Sequence, residues 1–193
     1  VEQGAGWPDL IVAGGMAVVG FGAYAIAAGL AGKFWLAPLC GAIAAASAAV
    51  LVYNFHPARI FLGDVGAIPL GFLAAALGIV GWRDDAWPLW FPVLVFGPFN
   101  ADATITLFRR VLRREKVWQP HREHYYQRLI RLGWGHRRVA WFEYLLMAGV
   151  AASAVAALRL EVALQFALLS GWIAIFACLM LAIDFHWKRN RST

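Results

Sequence analysis

NFHPARIFLGDVG, residues 54 to 66, sets an asparagine, a histidine, an arginine and a carboxylate between two long apolar stretches. Ionisable groups beside hydrocarbon are costly to keep, so such a cluster at the edge of an apolar span marks a candidate functional site. Pro57 stops the preceding helix from running on. Gly63 and Gly66 allow close backbone approach around Asp64, and Arg59 offers a fork of donors suited to phosphate oxygens. Two roles are open for Asp64. It could hold Mg²⁺, which is usually bound by one or two carboxylates together with substrate phosphates and water. It could instead be an N-cap for the next helix, with Arg59 a membrane-surface anchor.

The surroundings of this loop decide the fold class. With 193 residues and 62% hydrophobic composition, the chain is too apolar for an ordinary soluble domain and reads as one membrane-embedded unit, residues 1 to 193. An all-α integral membrane protein of about six transmembrane helices is expected. Spans of roughly 20 apolar residues, the length that crosses a bilayer core, fall at 10 to 32, 34 to 53, 87 to 108, 140 to 159 and 162 to 186, with a shorter sixth at 67 to 82.

Six spans in series put fourteen of the seventeen lysines and arginines on one side: Arg59, ten from Arg109 to Arg138, and Lys188, Arg189 and Arg191. Lys33, Arg83 and Arg159 fall on the other. Positive charge collects on the cytoplasmic side, so the Asp64 loop and the basic loop are both expected there. Trp35, Trp82, Trp87, Trp141 and Trp187 lie at predicted span ends, where interfacial aromatic belts form. Cys40 and Cys178 fall inside spans and read as packing residues, not as a disulfide. The small residues Gly41 to Ala49 would let helices approach closely.

The basic stretch from Asp102 to Arg138 is the second constellation. Pro120 is placed to begin a helix on which His121, His124 and Arg128 share one face, with Arg122 round the side. That face could grip a diphosphate or an anionic headgroup. A zinc site needs three or four ligands, and no third is evident. Ten basic residues would also attract anionic lipid. Nucleic acid is not expected as a partner, because the loop is tethered to the bilayer at both ends. Asp102, in the last turns of a span, either pairs with Arg109 or Arg110 or faces the same cavity as Asp64. Glu143 and Asp184 read as interfacial, snorkelling residues, and His56 and His136 as loop residues.

NFHPARIFLGDVG followed by LGF, then FNADATITLFRR, then HREHYYQRL resembles, in order and spacing, the second half of the polyprenyl-phosphate N-acetylhexosamine-1-phosphate transferases. These are bacterial inner-membrane enzymes that begin cell-envelope glycan synthesis. The resemblance, over roughly residues 1 to 150, implies transfer of a sugar 1-phosphate from a UDP-N-acetylhexosamine to undecaprenyl phosphate, with release of UMP and a need for Mg²⁺. It makes Asp64 the metal ligand. It places His121, Arg122 and His124 in a histidine-rich cytoplasmic loop that holds donor phosphates or the nucleotide. Asp102 and His124 join Asp64 as catalytic candidates, and Asn54, Arg59, His121, Arg122 and Arg128 are the substrate-binding candidates. A homodimer is left open.

Three departures qualify the likeness. The family's paired aspartates and its asparagine with DG-x-DG have no counterpart here, so the chain is expected to be the later part of a longer transferase and inactive alone. Ala67 stands where the family often has a small hydroxyl residue. HREHYYQRL in place of three consecutive histidines points to the O-antigen-type branch over the peptidoglycan pentapeptide transferases. The competing function is a non-catalytic membrane scaffold or a transporter that binds anionic lipid. A transporter would carry ionisable residues in the middle of several spans, whereas here they gather at one face.

Overall fold

A computed structural model describes residues 7–54, 63–114 and 124–191. The described residues form helices and turns without a strand, in the order α1 (Trp7–Leu30), α2 (Leu36–Asn54), α3 (Gly63–Arg83), α4 (Trp90–Val95), α5 (Gly97–Leu112), α6 (Tyr125–Arg131), α7 (His136–Ala157) and α8 (Val162–Arg191). Among these, α1, α2, α3, α7 and α8 are long and apolar enough to cross a membrane. The integral membrane fold is thus all-α, as the hydropathy requires.

The expected span at 87 to 108 is not one helix. It divides into α4 and α5 at Phe96, whose backbone leaves helical geometry (φ −92°, ψ 16°). Pro98 follows in the first turn of α5 and has no N–H to bond back across the joint. α3 begins at Gly63, so Asp64 lies within the first helical turn and not ahead of it. Residues 67 to 82 are thereby part of a helix long enough to span.

Short turns make neighbouring helices antiparallel. α1 closes with Gly32 at φ +71°, the Lys33 N–H bonding to Ala28 O at 2.8 Å and the Gly32 N–H to Gly29 O at 3.1 Å. This is a Schellman closure, whose left-handed position favours glycine. Asp85, at φ 55°, ends α3 in the same way, with Ala86 N–H on Gly81 O at 2.8 Å.

The core gathers on α1. Tyr24 is wholly buried, stacks on Trp87 (centroids 4.8 Å apart) and meets Phe96 edge-on at 5.6 Å. Its hydroxyl donates to Ala74 O at 3.0 Å, while Trp87 Nε1 donates to Gly78 O at 3.0 Å. Trp87 is therefore a core residue and not part of an interfacial belt. Trp35, Trp82 and Trp141 are exposed near helix ends, as a belt requires. Both cysteines are free, Cys40 buried in the core and Cys178 exposed on α8.

Gly81 lets the indole lie against α3. A Cβ there would come within 2.0 Å of a Trp87 ring carbon, and overpacking of this kind costs typically about 1–3 kcal/mol. Gly81→Ala is expected to lower the midpoint of thermal unfolding in detergent. An unchanged midpoint would mean that the ring moves aside freely.

Candidate functional site

At one end of the bundle α5, α6, α7 and α8 surround a cavity of about 300 Å³ whose walls are mostly apolar, among them Phe99, Phe142, Met147, Phe176 and Met180. Asp102, His124, Gln127 and Glu143 supply its polar lining, and Ala67 brings the start of α3 to the same space. An apolar pocket with a few convergent polar groups is the usual form of a ligand site.

Asp102 organises the polar end. Its Oδ1 accepts from Thr106 Oγ1 at 3.1 Å, both of its oxygens accept from the Tyr125 N–H at 3.1 Å, and Oδ1 lies 3.3 Å from His124 Nδ1. Thr106 stands one turn beyond Asp102 on α5, the spacing at which helical side chains meet. The Tyr125 N–H belongs to the first residue of α6, a donor that helix geometry leaves unpaired. A carboxylate from a different helix therefore takes the place of a local cap.

This alters the expected histidine helix. α6 starts at Tyr125, and His124 precedes it in extended conformation (φ −60°, ψ 147°), so His124 and Arg128 do not share a helical face. His124 stacks on Tyr126 (centroids 5.8 Å apart, 18° between planes) and lines the cavity with it. Arg128 turns to a second carboxylate.

That carboxylate is Asp184, near the end of α8. Arg109 grips it with both terminal guanidinium nitrogens (Nη1 to Oδ1 2.8 Å). Arg128 Nη1 donates to Oδ1 at 2.8 Å and the Tyr125 hydroxyl to Oδ2 at 3.2 Å. Both guanidinium carbons also lie over the Tyr125 ring, at 5.4 and 4.9 Å from its centroid, within cation–π range. Burial, with the neighbouring Asp184 charge, pushes the Tyr125 hydroxyl up to about 12, so it stays protonated and donates at neutral pH.

Asp184 is therefore an ion-pair centre and not a snorkelling residue. Glu143 is not one either: it faces the cavity, within electrostatic reach of Asp102. Asp102 lines the cavity, and Arg109, one of the two arginines open to it, pairs with Asp184 instead.

The other expected site residues divide by position. Asn54 ends α2 and Asp64 lies three residues before Ala67 on α3, while the side chains of both fall outside the described residues. His56, Arg59, His121 and Arg122 also lie outside them. Among the described residues no three histidine, cysteine, aspartate or glutamate side chains cluster as a metal site. The sequence does not point to Thr106 or Tyr125, and it presents Glu143 and Asp184 only as interfacial residues. Only Thr106, one helical turn from Asp102, carried a local signal for its contact.

Five helices long and apolar enough to cross a membrane, with a carboxylate-bearing cavity beside the start of α3, define a multi-pass helical membrane protein. The family model described as glycosyl transferase family 4 matches residues 11–82. The chain is 31% identical over 137 residues to the probable undecaprenyl-phosphate N-acetylglucosaminyl 1-phosphate transferase of Bacillus subtilis (strain 168), covering 70% of the chain and 38% of that protein. It is likewise 31% identical over 137 residues to the phospho-N-acetylmuramoyl-pentapeptide-transferase of Geobacillus kaustophilus (69% and 41%). Identity to the enzyme of that name from Moorella thermoacetica is 32% over 124 residues (64% and 38%). The chain thus spans about two fifths of the length of these relatives. No solved structure matches it.

Proposed function

We propose that the protein transfers N-acetylhexosamine 1-phosphate from a UDP-sugar to undecaprenyl phosphate at the cytoplasmic face of the bacterial inner membrane, beginning a cell-envelope polysaccharide of the O-antigen type. In the net reaction an oxygen of the lipid phosphate bonds to the phosphorus that carries the sugar. The bond from that phosphorus to the UMP oxygen breaks, and UMP leaves with the electron pair.

The observation that carries this reading is the cavity itself. Its walls are apolar, as a prenyl chain needs, and its polar end is built from Asp102, His124 and Glu143 beside the start of the helix that bears Asp64. The names of the relatives support a polyprenyl phosphate acceptor and a sugar 1-phosphate donor.

Phosphoryl transfer depends on positioning and charge neutralisation more than on covalent chemistry. Mg²⁺ would neutralise phosphate charge, and Asp64 is the residue we assign to hold it. A metal held largely by substrate phosphates and water needs few protein ligands, which is compatible with the absence of a three-ligand cluster among the described residues. Asp102 fits a different task, since its oxygens are occupied by Thr106, His124 and the Tyr125 N–H. It orients the His124 imidazole, which faces the cavity. Arg59, His121, Arg122 and Asn54 are assigned to the donor.

The test is an assay of the full-length protein in proteoliposomes with undecaprenyl phosphate and a panel of UDP-N-acetylhexosamines. UMP release with formation of a lipid-linked diphosphate sugar is expected for one donor, and chelation of divalent cations is expected to stop it. No product from any donor would favour the lipid-binding scaffold.

A further inference from the structure

α8 runs thirty residues, and its apolar length is mostly exposed on the outside of the bundle. At its end it nevertheless delivers the Asp184 carboxylate into a buried contact: 16% of that side chain is exposed, and 9% of the Arg128 side chain that meets it. Three elements converge there, α5 through Arg109, α6 through Arg128 and Tyr125, and α8 through Asp184 itself.

α6 has seven residues. A helix that short has no stability of its own, because nucleation is unfavourable and few bonds follow it. Its place must come from tertiary contacts, and the two carboxylates supply them from opposite ends of one residue. Asp102 accepts the backbone N–H of Tyr125, and Asp184 accepts its hydroxyl. His124 and Tyr126, the chain neighbours of Tyr125, line the cavity together with Tyr125 and Gln127. Asp184 is the carboxylate shared by the two guanidiniums that lie over the Tyr125 ring.

We propose that Asp184 is a positioning residue: by anchoring Arg109, Arg128 and Tyr125 it holds α6 so that His124 stays on Asp102 at the polar end of the cavity. The structural part of this inference stands by itself, and its kinetic consequence rests on the transferase reading.

The test compares wild-type protein with Asp184→Asn and Asp184→Glu in lipid nanodiscs by amide hydrogen exchange. In Asp184→Asn the amides of residues 125 to 132 are expected to exchange about tenfold faster or more, while those of α1 stay unchanged, the mark of local opening. Asp184→Glu is expected to restore much of the protection. In the transfer assay kcat of Asp184→Asn falls about ten- to a hundredfold, as misplacement of a reacting group does, and the donor KM moves less than about twofold, because the loss is not one of ground-state binding. Unchanged exchange at 125 to 132 would overturn the proposal. So would faster exchange spread through α1 and α7, which would make Asp184 a general stability residue.

If Asp184→Asn does not accumulate, Tyr125→Phe removes the hydroxyl bond alone and must show the same localised exchange; protection equal to wild type would overturn the proposal. A localised change in a protein whose wild type transfers no sugar phosphate would uphold the anchoring role and reject the transferase reading.

Discussion

Asp64→Asn in the full-length protein is expected to abolish transfer while leaving membrane insertion intact. The substitution keeps the size of the side chain and removes its charge, and a carboxamide is a poor partner for a hard cation that prefers anionic oxygen. A catalytic metal contributes several kcal/mol to stabilising transition-state charge, so the loss should reach about three orders of magnitude or more in kcat. Asp64 lies in the first turn of α3, three residues before cavity-lining Ala67. UMP release measures the effect, and the amount of protein in the membrane fraction controls for insertion. Normal activity in this variant would remove Asp64 from the metal site.

Asp102→Asn is expected to have the second largest effect, for a different reason. The carboxylate is an acceptor for Thr106, for the Tyr125 N–H and for His124. A carboxamide has one acceptor oxygen, and its NH₂ would face a donor. One partner is left unsatisfied, at about 1–3 kcal/mol, and the imidazole loses the group that orients it. Loss of a positioned acid or base group typically lowers the rate about 10²-fold or more, so kcat should fall by that much while the unfolding midpoint drops only modestly. A variant with normal kcat and a large fall in the midpoint would make Asp102 a structural tie between α5 and α6. Asp102→Asn and Asp184→Asn should also couple non-additively, since both act through Tyr125.

Much of this arrangement is legible before any coordinates are known. The apolar runs, the lysine and arginine asymmetry and the three motifs lie along the chain, and each follows from the local preference of a residue for hydrocarbon, water or the interface. The same local logic fails where a partner comes from elsewhere. Trp87 has the position of a belt residue, yet Gly81 on α3 leaves room for its ring and Gly78 O takes its N–H. The span from 87 to 108 has adequate hydropathy, and hydropathy does not register the missing N–H of Pro98 at the joint.

The histidine loop shows the limit most clearly. Pro120 and the spacing of His121, His124 and Arg128 fit a helical face, but the described helix starts at Tyr125. Its start is set by Asp102, 23 residues earlier in the chain. Glu143 and Asp184 look like ordinary charged residues near span ends, because neither the cavity beside Glu143 nor the arginines around Asp184 are nearby in sequence.

The sequence by itself therefore determined that this is a helical membrane protein, which loops gather its polar and basic residues, and the family resemblance of its motifs. These follow from hydropathy, charge and short-range spacing. Only the tertiary structure decided which charges meet. Arg109 pairs with Asp184, 75 residues away, and not with Asp102 seven residues before it on its own helix. That choice depends on how α5, α6 and α8 pack and at what register, which is a property of the assembled bundle and not of any segment within it.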